Sequence, residues 1–106
     1  MKFAKVLALG ATVMIVAAFN PAHAANIEVK IDNFLFNPQQ VTVHAGDTVT
    51  WVNHDDIPHT VTSKTLVFRS KALDTDDKFS FTFTAPGSFA YFCSLHPHMT
   101  GTIVVE

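Results

Sequence analysis

The C-terminal stretch Lys78-Phe-Ser-Phe-Thr-Phe-Thr-Ala-Pro-Gly-Ser-Phe-Ala-Tyr-Phe-Cys-Ser-Leu-His-Pro-His-Met-Thr-Gly-Thr-Ile-Val-Val-Glu106 decides the fold. Phe79, Phe81 and Phe83 alternate with Ser80, Thr82 and Thr84. A period of two turns one row of side chains inward and the other toward water, which makes a strand and excludes a helix. Pro86-Gly87 is a turn signal. Ser88 to Cys93 and Thr102 to Val105 then read as two more strands, with a short loop between them.

Working upstream, the same period recurs. Ile27, Val29 and Ile31 alternate with Glu28, Lys30 and Asp32. Val41 to Val43, Thr48 to Asn53 and His59 to Ser63 complete the set, separated by turn residues such as Ala45-Gly46-Asp47. Short strands at regular spacing predict an all-β sandwich or barrel. The irregular stretch from Lys64 to Lys78 has the length to cross between two sheets, as a Greek key requires. Seven to eight strands in a Greek-key β-sandwich are therefore expected, with Trp51 and the Phe79, Phe81, Phe83 row in its core.

The N-terminus reads differently. Lys2 and Lys5 precede an apolar run from Val6 to Phe19, then Pro21 and the small-x-small sequence Ala22-His23-Ala24. That is the layout of a secretory signal peptide, and the run is shorter than the ~20 residues of a permanent membrane anchor. The expected division is residues 1–24 as the signal and 25–106 as one exported domain. Without Lys2 and Lys5, five basic residues (Lys30, Lys64, Arg69, Lys71, Lys78) face nine acidic ones. No basic cluster is left for a phosphate backbone, so nucleic acid is not an expected partner.

A domain this small is marginal without a staple. With a single cysteine, Cys93, no internal disulfide can form. A metal is the natural alternative. Cys93-Ser-Leu-His96-Pro-His-Met99 has the spacing Cys-x2-His-x2-Met, and His59 lies upstream in Ile57-Pro58-His59-Thr60-Val61. Taken singly, a lone cysteine or methionine is usually core and a lone histidine usually surface. Together, a thiolate, two imidazoles and a thioether are the ligand set of a blue-copper site. Zinc would more often take several cysteines or a carboxylate. His54 could compete with His59, but Asn53 to Asp56 reads as a solvated turn. His44 reads as a surface residue, and His98 as an exposed residue at the rim of the site. A Cys93–His96 nucleophile pair lacks an orienting third group, and four protein ligands leave no open position for a substrate. An enzyme is not expected.

The runs Phe34-Leu-Phe36-Asn-Pro38 and Val41-Thr-Val43-His-Ala45-Gly46-Asp47-Thr-Val49-Thr-Trp51-Val-Asn53 resemble the front half of the cupredoxin (type 1 blue copper) family. Pro58-His59-Thr-Val61, Tyr91-Phe92-Cys93 and His96-Pro97-His-Met99-Thr-Gly101 resemble its ligand segments. The contracted C-terminal loop is most similar to the amicyanin branch. The resemblance implies one copper ion held by His59, Cys93, His96 and Met99, with His96 partly exposed, and single-electron transfer in a periplasm. It implies redox partner proteins, for example a periplasmic dehydrogenase and a cytochrome, docking on an apolar patch around His96. Leu95 and Pro97 belong to that patch, with Leu35, Phe36 and Pro58 as further candidates, and a monomer is expected. The family commonly has Asn after the first histidine, tying the two ligand loops together, where this chain has Thr60. The rival reading is a copper-binding module for delivery, storage or sensing.

Overall fold

The computed structural model describes residues 24–106, so the segment read as a signal peptide lies, but for Ala24, outside the described residues. These form eight strands: β1 (Asn26–Asp32), β2 (Leu35–Asn37), β3 (Gln40–Val43), β4 (Thr48–Asn53), β5 (Thr62–Ser63), β6 (Lys78–Thr82), β7 (Gly87–Cys93) and β8 (His96–Val105). One sheet runs β2-β1-β4-β6 and the other β3-β8-β7-β5. The expected all-β sandwich and strand number are borne out. Two parallel pairs, β1 with β4 and β3 with β8, join otherwise antiparallel ladders, which local hairpins alone cannot produce.

Alternation places the core. Val29 and Ile31 of β1, Val49 and Trp51 of β4, Tyr91 and Cys93 of β7, and Ile103 and Val105 of β8 all face the inter-sheet space and are buried. Trp51 is its centre. Tyr91 meets it edge-on and Phe68 stacks on it, at centroid distances of 5.4 and 5.6 Å. Phe83 is buried, whereas Phe79 and Phe81 are only partly buried against the core, because β6 lies at the edge of its sheet. The connection from Lys64 to Lys78 crosses from β5 in one sheet to β6 in the other. It drops Phe68 and Leu73 into the core and leaves Leu66 and Val67 exposed.

Two strand boundaries differ from expectation. Only Thr62–Ser63 of the predicted His59–Ser63 strand joins the ladder to β7. His59 instead makes an isolated bridge with Leu73 across the long connection. The last strand starts at His96, six residues earlier than the β-branched run Thr102–Val105 suggested. Pairing with β7 extends it past Pro97 and Met99, residues with no strand signal of their own.

Candidate metal centre

Three segments converge at one end of the sandwich. β7 delivers Cys93, and after the two-residue turn Ser94–Leu95 the chain returns as β8 with His96 paired to Cys93. The segment is thus a tight hairpin with a register shift at Phe92/Cys93, where a short loop running from Cys93 past Met99 was expected. His59 comes from the segment before β5. Its backbone N–H donates to Leu73 O at 3.1 Å and its carbonyl accepts from Leu73 N–H at 2.7 Å.

The donor atoms of His59, Cys93 and His96 all lie within 4.8 Å of one another. Cys93 Sγ is 3.7 Å from His59 Nδ1 and 3.6 Å from His96 Nδ1. A first-row metal takes sulfur at about 2.3 Å and imidazole nitrogen at about 2.0–2.1 Å, so donors sharing one ion stand about 3.5–4 Å apart. The observed spacings fit. Cys93 and His59 are fully buried, His96 is half-buried, and Met99, close to them, is 5% exposed. All four residues singled out by the motif are brought together. His54 is exposed and outside the cluster, His98 is exposed beside it, and His44 is a remote surface residue.

Each donor is held by neighbours. His59 Nε2–H donates to Asp55 Oδ2 at 2.8 Å, which fixes the tautomer and leaves the Nδ1 lone pair facing Cys93. Asp55 also accepts the backbone N–H groups of Asn33 and Phe34, at 2.6 and 2.9 Å. Partial burial pushes the Asp55 carboxyl up, but these two donors and His59 outweigh it and hold the group below its ordinary range. Asn53, completely buried, donates from Nδ2 to Ile57 O and Leu73 O and accepts from Asp55 N–H. The predicted solvated turn therefore holds for His54 and Asp56 only. Asn53 and Asp55 are structural members of the site.

Thr60 joins the two ligand segments. Its backbone N–H points at Cys93 Sγ at 3.3 Å. Its hydroxyl accepts from Ser94 N–H at 2.7 Å and bonds Ser94 Oγ at 2.8 Å. A short hydroxyl thus makes the tie expected of the longer Asn side chain. Leu95 and Pro97, on either side of His96 in the chain, are exposed, as are Pro58 beside His59 and Leu35, which shares a cleft with His96. Phe36 is not: it is buried and packs on Tyr91 with centroids 4.7 Å apart, which removes it from the predicted patch. Phe34, its neighbour two residues earlier, is the exposed aromatic at the rim.

Comparison with known proteins agrees with this geometry. The Cupredoxin-like domain family matches residues 5–105. The chain is 37% identical to an amicyanin of Paracoccus versutus, over 87% of this chain and 72% of that one. It is 36% identical to the amicyanin-alpha of Methylorubrum extorquens, over 84% and 79% respectively. A solved structure of an amicyanin mutant with Cu(I) superposes with a TM-score of 0.73 at 33% identity, covering 83% of this chain and 90% of the other.

Proposed function

The chain belongs to the cupredoxin-like family, and from that premise we infer that it is a type 1 copper electron-transfer protein and not an enzyme. The observation that carries this reading is the pair of imidazole Nδ1 atoms at 3.6 and 3.7 Å from one buried cysteine sulfur. His59, Cys93, His96 and Met99 are the proposed ligands. Bound there, copper supplies a one-electron Cu(II)/Cu(I) couple. The protein's part is to hold the donors still.

Nothing in the site needs to move far for an electron to pass. His59 is fixed through its Nε2–H, Cys93 lies in a strand, and Thr60 pins the two segments together. The Thr60 N–H directed at Cys93 Sγ withdraws charge from the sulfur, which favours the reduced state. Met99 adds a soft ligand with the same preference. His96 is the one ligand with an exposed edge; Leu95 and Pro97 flank it in the chain and Pro58 precedes His59, all three exposed. We place docking of redox partner proteins on that face, with a dehydrogenase and a cytochrome as the expected kinds and the carrier acting as a monomer. Residues 1–24 are proposed as the export signal and the periplasm as the compartment.

Voltammetry of the copper-loaded chain, with and without a copper chelator, tests the assignment. Fast reversible one-electron cycling with copper retained is expected. Sluggish cycling with ready transfer of copper to the chelator would replace the carrier by a delivery module.

A further inference from the structure

Asn33 and Phe34 form the two-residue turn between β1 and β2, with Asp32 and Leu35 paired across it. Both have left-handed backbone angles, φ 55° and 60°. That is the requirement of a type I′ hairpin turn, which Asn tolerates and which Gly usually completes. Phenylalanine in the second position is strained, because its Cβ crowds the backbone there. Such strain persists only where the surroundings hold it, and it gathers at functional sites.

The strained residue faces the metal ligands. The Phe34 ring stands edge-on to His59 at 5.3 Å and 86°, and edge-on to His96 at 5.2 Å and 89°. It touches both imidazoles yet is 48% exposed, so core packing does not account for its placement. It also walls a cleft of about 470 Å³ lined by Leu35, His96, His98 and Met99. Removing the ring would widen that cleft beside the two imidazoles it now touches. The Asp55 carboxylate that receives the His59 ring N–H also receives the N–H groups of Asn33 and Phe34. One side chain therefore holds both the ligand and the strained turn.

We propose that Phe34 is a positioning residue that acts as a lid on the two-histidine side of the metal centre, latched by Asp55. This rests on the copper reading above. The lid restrains the His96 ring and slows both the loss of copper and the entry of small ligands such as azide. It performs no chemistry of its own.

Phe34→Gly separates this role from ordinary packing, because glycine relieves the strain while removing the ring. The metal-free variant should melt no lower than the parent, yet its copper should pass to excess chelator roughly ten- to a hundredfold faster, the effect of losing two aromatic contacts. Azide should perturb its copper spectrum at concentrations that leave the parent unchanged. Phe34→Tyr should restore the parent's rate. Copper loss at the parent's rate together with an azide-insensitive spectrum would overturn the lid. A copper-free arm stands apart from the metal assignment. Side-chain NMR of the metal-free parent should show a fixed His96 ring, and the Phe34→Gly variant a rotationally averaged one. An unchanged ring would overturn the lid even where copper binds. A parent that takes up no copper would sink the copper reading instead. Should Phe34→Gly fail to fold, Phe34→Leu carries the same NMR and exchange comparisons, with the same overturning results.

Discussion

Thr60 shows how little a residue needs in order to replace another. Its hydroxyl accepts the Ser94 N–H, and its own N–H meets the Cys93 sulfur through the backbone. Thr60→Ala should therefore spare the backbone contact to the sulfur and remove the partner of the Ser94 donor, lowering stability of the metal-free chain by about 0.5–1.5 kcal/mol. Denaturant unfolding measures this, and Thr60→Asn should recover most of it. Asp47 acts at the same scale at the far side of the fold. Its carboxylate accepts the N–H groups of His44 and Ala25 at 2.9 and 2.8 Å. Those two bonds, against a smaller opposing effect of burial, hold its proton affinity below the ordinary value. A carboxyl with a lowered folded pKa contributes stability that is complete above the unfolded value of about 3.9 and is lost as pH falls through the folded one. Melting of the metal-free chain against pH should drop below about pH 4, and Asp47→Asn should flatten that drop. An equal slope in the variant would move the effect elsewhere.

The β7–β8 hairpin carries three of the four proposed ligands, and its regularity depends on Gly101. Gly101 pairs with Tyr91, and a Cβ there would strike the Tyr91 ring carbon Cζ and its hydroxyl. Gly101→Ala should cost about 1–3 kcal/mol by overpacking, readable as a lower melting temperature. Tyr91 itself carries a cost. Burial pushes its phenol up to about 12, which the Trp51 indole offsets only in part. Among the described residues, neither Tyr91 Oη nor Trp51 Nε1 has a well-formed hydrogen bond. Tyr91→Phe should consequently be neutral or stabilising, within about 1 kcal/mol. The strands were legible wherever β-branched or aromatic residues alternate with polar ones, as in Phe79 to Thr84 and Ile27 to Asp32. The start of β8 was not, because His96, Pro97 and His98 carry no such signal and owe their conformation to β7. Likewise the segment reads as a strand from His59 to Ser63, but only Thr62–Ser63 joins the ladder and His59 bonds to Leu73 far along the chain.

At the scale of the whole molecule, the four proposed ligand residues were legible because sulfur and imidazole donors at short spacing have few other uses together. Their supports were not. Asp55 and Asn53 look like surface turn residues until the fold closes β1, β4 and the long connection around them, and Phe34 reveals its place only through its backbone angle and its ring contacts with the two imidazoles. A small sandwich without a disulfide should also lean on its metal. A ligand bound only by the folded state at 1,000 times its dissociation constant adds about 4 kcal/mol, roughly 15 °C or more in melting temperature for a domain of this size. Calorimetry of metal-free and copper-loaded chain would show that gap, and coincident melts would contradict tight binding by the folded state. The most direct measurement is the visible and EPR spectrum of the copper-loaded chain beside its Cys93→Ser variant. The account predicts an intense blue thiolate-to-copper band with a type 1 EPR signal in the parent, and neither in the variant. A pale parent with an ordinary copper signal, or a variant as blue as the parent, would contradict a copper site built on Cys93.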